Sequence, residues 1–281
     1  MNDGRRTLLD GRGLVESPRW HGDWLYFSDW SAGEVLRVGL DGRPEVVARV
    51  KSLPLCTAWL PDGRLVIVSS PDGLVLRAEP DGSLVTHADL GRPGWNDVVA
   101  DGRGNLYVNG AGFNPMAGEG FRPGGVSLVT PDGTVRPVAD DISFPNGMAV
   151  TADNATLIVA DSYRRQLIAF DIAADGSLSH RRIWAGLGDS APDGICVDAE
   201  NAVWYATVPG RRCARVAEGG AELAAVPLDR GGFACALGGP HGTTLFITAA
   251  EWRGMTEVPM VTPGSGQVLA VDVDVPGAGW P

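Results

Sequence analysis

Residues 96–110 read NDVVADGRGNLYVNG: a short apolar run, a polar turn opened by Asp-Gly, and a second apolar run of similar length. Asn, Asp and Gly tolerate the positive φ that a tight hairpin needs, so this stretch is read as two antiparallel strands. The phrase recurs outward in both directions. Upstream lie ESPRWHGDWLYFSDW from Glu16 and CTAWLPDGRLVIVSS from Cys56. Downstream lie NGMAVTADNATLIVADS from Asn146, DGICVDAENAVWYAT from Asp193 and FACALGGPHGTTLFITA from Phe233. Successive copies start 40, 40, 50, 47 and 40 residues apart. A period of about 40 to 50 residues with a hairpin in each copy is the mark of propeller blades.

Between the copies, segments such as GEVLRVGLDGRPEVVAR and GLVLRAEPDGSLVTHA supply two further strands around another Asp-Gly turn. The expectation is an all-β, six-bladed propeller of four-stranded antiparallel blades, a single domain over residues 1–281. The tail QVLAVDVDVP and the opening TLLDG are expected to complete the sixth blade from both ends of the chain. Tandem β-sandwiches would need longer strands and linkers, and no linker is seen. The 39 glycines and 20 prolines punctuate turns along the whole chain and form no low-complexity run.

A formal charge of −11 repels nucleic acid and anionic lipid, and no basic stretch reverses it locally. No apolar run reaches the length of a signal peptide core or of a membrane span. The expected setting is therefore cytoplasmic, away from membrane and nucleic acid. The four cysteines, Cys56, Cys196, Cys213 and Cys235, show neither a CxxC pair nor zinc-ribbon spacing and read as buried thiols.

Aligned on their turns, the copies place Glu16, Cys56, Asn96, Asn146, Asp193 and Phe233 at one position of the first strand. First strands line a propeller's axis, so these six are expected to ring one mouth of the channel. Four are oxygen donors. Carboxylates and amides pointing inward need a compensating charge; capping of strand ends by the same side chains is the plainer alternative. An oxygen donor set without thiolate or imidazole suits Ca²⁺, Mg²⁺ or Mn²⁺ before Zn²⁺. Two long Gly- and Pro-bearing loops, residues 110–125 and 250–266, should overhang that mouth and build a substrate pocket.

VESPRW (15–20), SFPNGMAV (143–150) and APDGICVDAENAVWYA (191–206) resemble the metal-ligand segments of the senescence-marker-protein/gluconolactonase family, which includes regucalcin and various sugar lactonases. The resemblance runs along essentially the whole chain. It implies a six-bladed propeller that hydrolyses lactones with one divalent cation, Ca²⁺ first, with Zn²⁺, Mn²⁺, Mg²⁺ or Fe²⁺ also admissible at such a site. Glu16, Asn146 and Asp193 are then the metal ligands, Asn96 a further contact to metal or substrate, and Asp193 also the general base. Glu119 resembles in position a lid carboxylate of some members. Sugar-lactonase members often carry an arginine two residues before the Asn96 equivalent; here Gly94 stands there, followed by Trp95, with Arg92 nearby. Trp95, Phe233, Phe113, Phe144 and Trp252 make the expected pocket more apolar than polyhydroxylated sugars need.

The chemistry expected is polarisation of a lactone carbonyl by the cation while Asp193 takes a proton from the attacking water. The absence of a GxSxG elbow, and four histidines without ligand spacing, agree with a reaction that needs no nucleophilic side chain. The partner is thus a small lactone or ester. A metal-dependent esterase or phosphotriesterase could use the same ion, and a non-catalytic scaffold would have no use for inward carboxylates. Strictosidine-synthase-like propellers use a glutamate without the Asn146 and Asp193 pair.

Overall fold

A computed structural model describes residues 4–278. The outermost residues of the expected 1–281 span, 1–3 and 279–281, lie outside the described residues. The chain forms six four-stranded antiparallel sheets arranged as a six-bladed β-propeller. Helix is confined, among the described residues, to two single 3₁₀ turns, Pro115–Ala117 and Ser162–Arg164. Among the described residues no helix is long and apolar enough to cross a membrane.

The innermost strands are Val15–His21, Leu55–Trp59, Trp95–Ala100, Pro145–Val150, Ile195–Val197 and Gly231–Gly238. Burial follows position within the blade. Second strands such as Leu65–Ser69, Leu106–Gly110 and Val203–Thr207 are buried at every residue because neighbouring blades cover both faces. The outermost strands Pro44–Arg49 and Glu222–Pro227 are exposed along most of their length. The core therefore lies between blades: Val66, Val68 and Val75 of the second blade pack with Val98, Leu106 and Val108 of the third.

Closure occurs as the sequence implies. Strand Arg6–Arg12 pairs with Gly266–Asp272, so the sixth blade takes strands from both ends of the chain. Arg12 then reaches Asp29 at 3.0 Å and Glu34 at 2.7 Å, tying the closing strand to the first blade. The turn carboxylates are structural. Asp101 Oδ1 accepts from the backbone N–H groups of Arg103 and Asn105, and Asp198 Oδ1 does the same for Glu200 and Ala202.

One irregularity positions the site. Register shifts interrupt the inner pairings at Glu16–Arg19, Trp95–Asp97, Pro145–Met148 and Gly232–Ala234. In the fifth blade Asp193 N–H donates to the Ala206 carbonyl while Ala206 N–H donates to Gly194, again two residues against one. Such bulges bend a strand and re-aim a side chain. The second blade pairs without interruption from Leu55–Ser69 to Trp59–Leu65.

Candidate active site

The five bulged blades deliver Glu16, Asn96, Asn146, Asp193 and Phe233 to the floor and wall of one cavity of about 420 Å³. The expected ring of six is therefore a ring of five. Cys56, on the unbulged strand, is buried and packs with Trp95 and Val98 between the second and third blades.

Glycine packing brings the inner strands close enough for the side chains to meet. Gly147 N–H donates to the Asp193 carbonyl at 3.1 Å and Gly194 N–H to the Phe233 carbonyl at 2.8 Å, joining blades four, five and six at the axis. A Cβ on Gly147 would lie 2.6 Å from the Asp193 carbonyl oxygen, and one on Gly194 2.3 Å from the Ala234 Cβ. The glycine after each of these two site residues is thus a requirement of space.

Asn96 Nδ2 donates to Asn146 Oδ1 at 3.0 Å, and the Asn146 amide in turn bonds the Asp193 carboxylate. Glu16 accepts from the Ser17 N–H at 3.2 Å. Burial pushes the Asp193 carboxyl up to about 8, against the Asn146 hydrogen bond and with help from the charge of Asp97. Burial, then the nearby Asp193 charge, pushes Glu16 well above the usual carboxylate range. Beneath the floor Arg19 donates to Asp97 at 3.2 Å and to the Val98 carbonyl at 2.9 Å. Asp97 also accepts from Met148 N–H at 2.9 Å, and its carboxyl is raised by burial although Arg19 opposes the shift. Three carboxyl groups and one guanidinium, buried or largely so, share this axis, and Arg19 pairs with Asp97, which leaves Glu16 and Asp193 without a cationic side-chain partner.

The loops expected to overhang the mouth do so. Residues 110–125 contribute Phe113, Asn114 and Met116, and residues 250–266 contribute Trp252, Met255 and Met260. Phe233 meets Trp252 edge-on at 5.7 Å, and Phe144 stacks on Tyr163 at 4.7 Å. Two residues read as substrate contacts lie elsewhere. Trp95 is buried in the interblade core, where its Nε1 donates to the Arg92 carbonyl and the Arg92 guanidinium lies 4.3 Å above its ring. Glu119 folds back on its own loop, bonding Arg122 at 2.8 Å and the Asn114 N–H at 3.1 Å. Conversely, Leu14, Trp30 and Leu53 line the cavity without a signal in the repeat, and the second layer of Arg19 and Asp97 went unread although Asp97 directly follows Asn96.

The family model described as SMP-30/Gluconolactonase/LRE-like region matches residues 14–251. The chain belongs to this family. A pentonolactonase of Haloferax volcanii is 27% identical to it over 267 residues, 86% of this chain and 83% of the relative. Among solved structures, a luciferin-regenerating enzyme superposes with a TM-score of 0.82 at 22% identity, covering 98% of this chain and 97% of its own. Regucalcin of Agrobacterium tumefaciens, described as a calcium-binding protein, superposes with a TM-score of 0.80 at 22% identity, covering 99% and 96%. These two structures share the SMP-30/gluconolactonase fold of this chain.

Among the described residues no three His, Cys, Asp or Glu side chains gather as a metal cluster. The donors here are of a different kind: two carboxylates, Glu16 and Asp193, with the carboxamide of Asn146. An amide oxygen has two lone pairs, so Asn146 Oδ1 can accept from Asn96 and still face a cation. An all-oxygen donor set with two carboxyl groups that lack a cationic partner fits a hard divalent ion.

Proposed function

We propose that this chain opens a lactone by hydrolysis, with a divalent cation, Ca²⁺ first, held by Glu16, Asn146 and Asp193. The observation that carries the reading is the convergence of two carboxyl groups, Glu16 and Asp193, and two carboxamides, Asn96 and Asn146, on the floor of one largely apolar cavity. When bound, a cation at that floor supplies Lewis-acid polarisation of a carbonyl oxygen. Asp193 acts as the general base, its carboxylate held in orientation by Asn146 while it takes the proton of the attacking water. Asn96 fixes the Asn146 amide from the third blade. Phe233 and Trp252 keep bulk water from the reacting ester. The pentonolactonase relative supports the reaction class, and the calcium-binding regucalcin structure supports the choice of ion.

The test is acid release from a panel of lactones by chelator-stripped protein, with and without added divalent cations. Restoration of turnover by a cation, and its loss in Asp193→Ala, is the expected result. Turnover and cation binding that both survive Asp193→Ala would remove Asp193 from the mechanism. A protein that binds cations but opens no lactone would move the reading to another ester class.

A further inference from the structure

Above its polar floor the cavity offers a substrate almost nothing to hydrogen-bond. Its lining contains no Arg, Lys or His. The side-chain acceptors of the wall are engaged with backbone: Ser70 Oγ accepts from Gly94 N–H, and Asn114 Oδ1 accepts from Met116 and Ala117 N–H, so polar contact there is limited to the Ser70 hydroxyl, the Asn114 amide N–H groups and the Trp252 indole. Arg92, four residues before Asn96, is spent on the Trp95 ring and the Pro93 and Ala111 carbonyls. Ring hydroxyls, a phosphate or a sulfonate would find few partners and no cation in this space, which is how a site disfavours such groups.

The apolar space also continues sideways. A second lobe of about 260 Å³ shares Leu14, Leu53, Met116, Met255 and Met260 with the main cavity. Of five methionines in the chain, three therefore stand where the two lobes meet. Flexible thioethers pack well against chains of variable length and shape. Glu257 borders the side lobe and disfavours an anionic chain end there.

We propose that the preferred substrate is a lactone bearing an uncharged alkyl chain, with the ring over the carboxylate floor and the chain running past Met116 and Met255 into the side lobe. The proposal rests on the lactone-hydrolase reading above. Hydrolysis breaks the ring acyl–oxygen bond and adds one water, giving the corresponding hydroxy acid, so the class of reaction that supplies this substrate is one that makes alkyl-substituted lactones.

The experiment compares γ-valerolactone, γ-nonalactone and γ-dodecalactone with glucono-1,5-lactone on the cation-loaded protein. In parallel, calorimetry measures binding of the unreactive lactams with the same alkyl chains. The kcat/KM is expected to rise about three- to fourfold per methylene, on the order of a hundredfold from the valero to the nona compound, with gluconolactone at least tenfold below the latter. Met116→Asp and Met255→Asp, both in loops, should each flatten the chain-length dependence of hydrolysis and of lactam binding. Preference for gluconolactone, or rates and lactam affinities indifferent to chain length, would overturn the proposal and leave the lactonase reading intact. Chain-length-dependent lactam binding without hydrolysis of any lactone would support the apolar ligand and end the lactonase reading instead.

Discussion

Asn96 reaches across from the third blade to the fourth and donates to Asn146 Oδ1 at 3.0 Å. The bond fixes which way the Asn146 amide faces, and with it the donation from Asn146 to Asp193. Groups that orient a metal ligand typically contribute about 10- to 100-fold in metal affinity. Asn96→Ala is therefore expected to weaken cation binding by about that factor while the protein stays folded, measured by calorimetric titration of chelator-stripped protein. Unchanged affinity would detach Asn96 from the metal and leave it as a substrate contact.

How much of this site could be read from the chain depended on whether side-chain direction follows from register. Glu16, Asn146 and Asp193 were legible because each stands at the same position in a copy of one repeat, with a proline within two residues. The glycines after Asn146 and Asp193 turn out to serve the close approach of adjacent inner strands. Cys56 shares the aligned position but its strand lacks the bulge, and a bulge has no composition that the repeat displays. Trp95 fails for a related reason. It pairs with Gly110 just before the register shift, and its ring turns into the core and away from the cavity. Glu119, Met116, Met255 and Met260 sit on loops, where no strand period dictates direction; pairing with Arg122 decides where Glu119 goes.

Gly194 stands where the inner strands of the fifth and sixth blades meet at the axis. A Cβ there would overlap Ala234, and the Gly194 N–H to Phe233 carbonyl bond would have to lengthen. Gly194→Ala should destabilise the protein by about 1–3 kcal/mol through overpacking, read as a lower urea midpoint. Because Asp193 is the preceding residue, cation affinity should fall with it. A variant with an unchanged midpoint would mean that the inner strands can part without penalty.

Arg19 and Asp97 form an ion pair with side chains only 10% and 13% exposed, directly under the floor. Removing one partner of a buried pair costs about 3–5 kcal/mol, because the survivor is left without compensation. Arg19→Met should show a loss of that order in urea unfolding. Arg19→Met combined with Asp97→Asn should recover most of it, since the amide oxygen can still accept from the Met148 N–H. Equal losses in the single and double variants would show that Arg19 acts through packing alone.

The carboxyls of Glu16 and Asp193 are raised in the fold, Asp193 to about 8, whereas in an unfolded chain both release their protons near pH 4. Above about pH 4 the cation-free native state holds protons that the unfolded state has lost, so its stability falls as pH rises, the Asp193 contribution levelling off beyond about 8. A divalent cation binds the ionised pair and so competes with those protons. With saturating Ca²⁺ that fall should be cancelled and stability held nearly level above about pH 5, because neither the cation-bound native state nor the unfolded chain then carries those protons. Melting temperatures measured from pH 5 to 8.5, in chelator and in Ca²⁺, are expected to diverge steadily with pH. Curves that stay parallel would mean that the two carboxyls do not share a cation, and that their burial is satisfied in some other way.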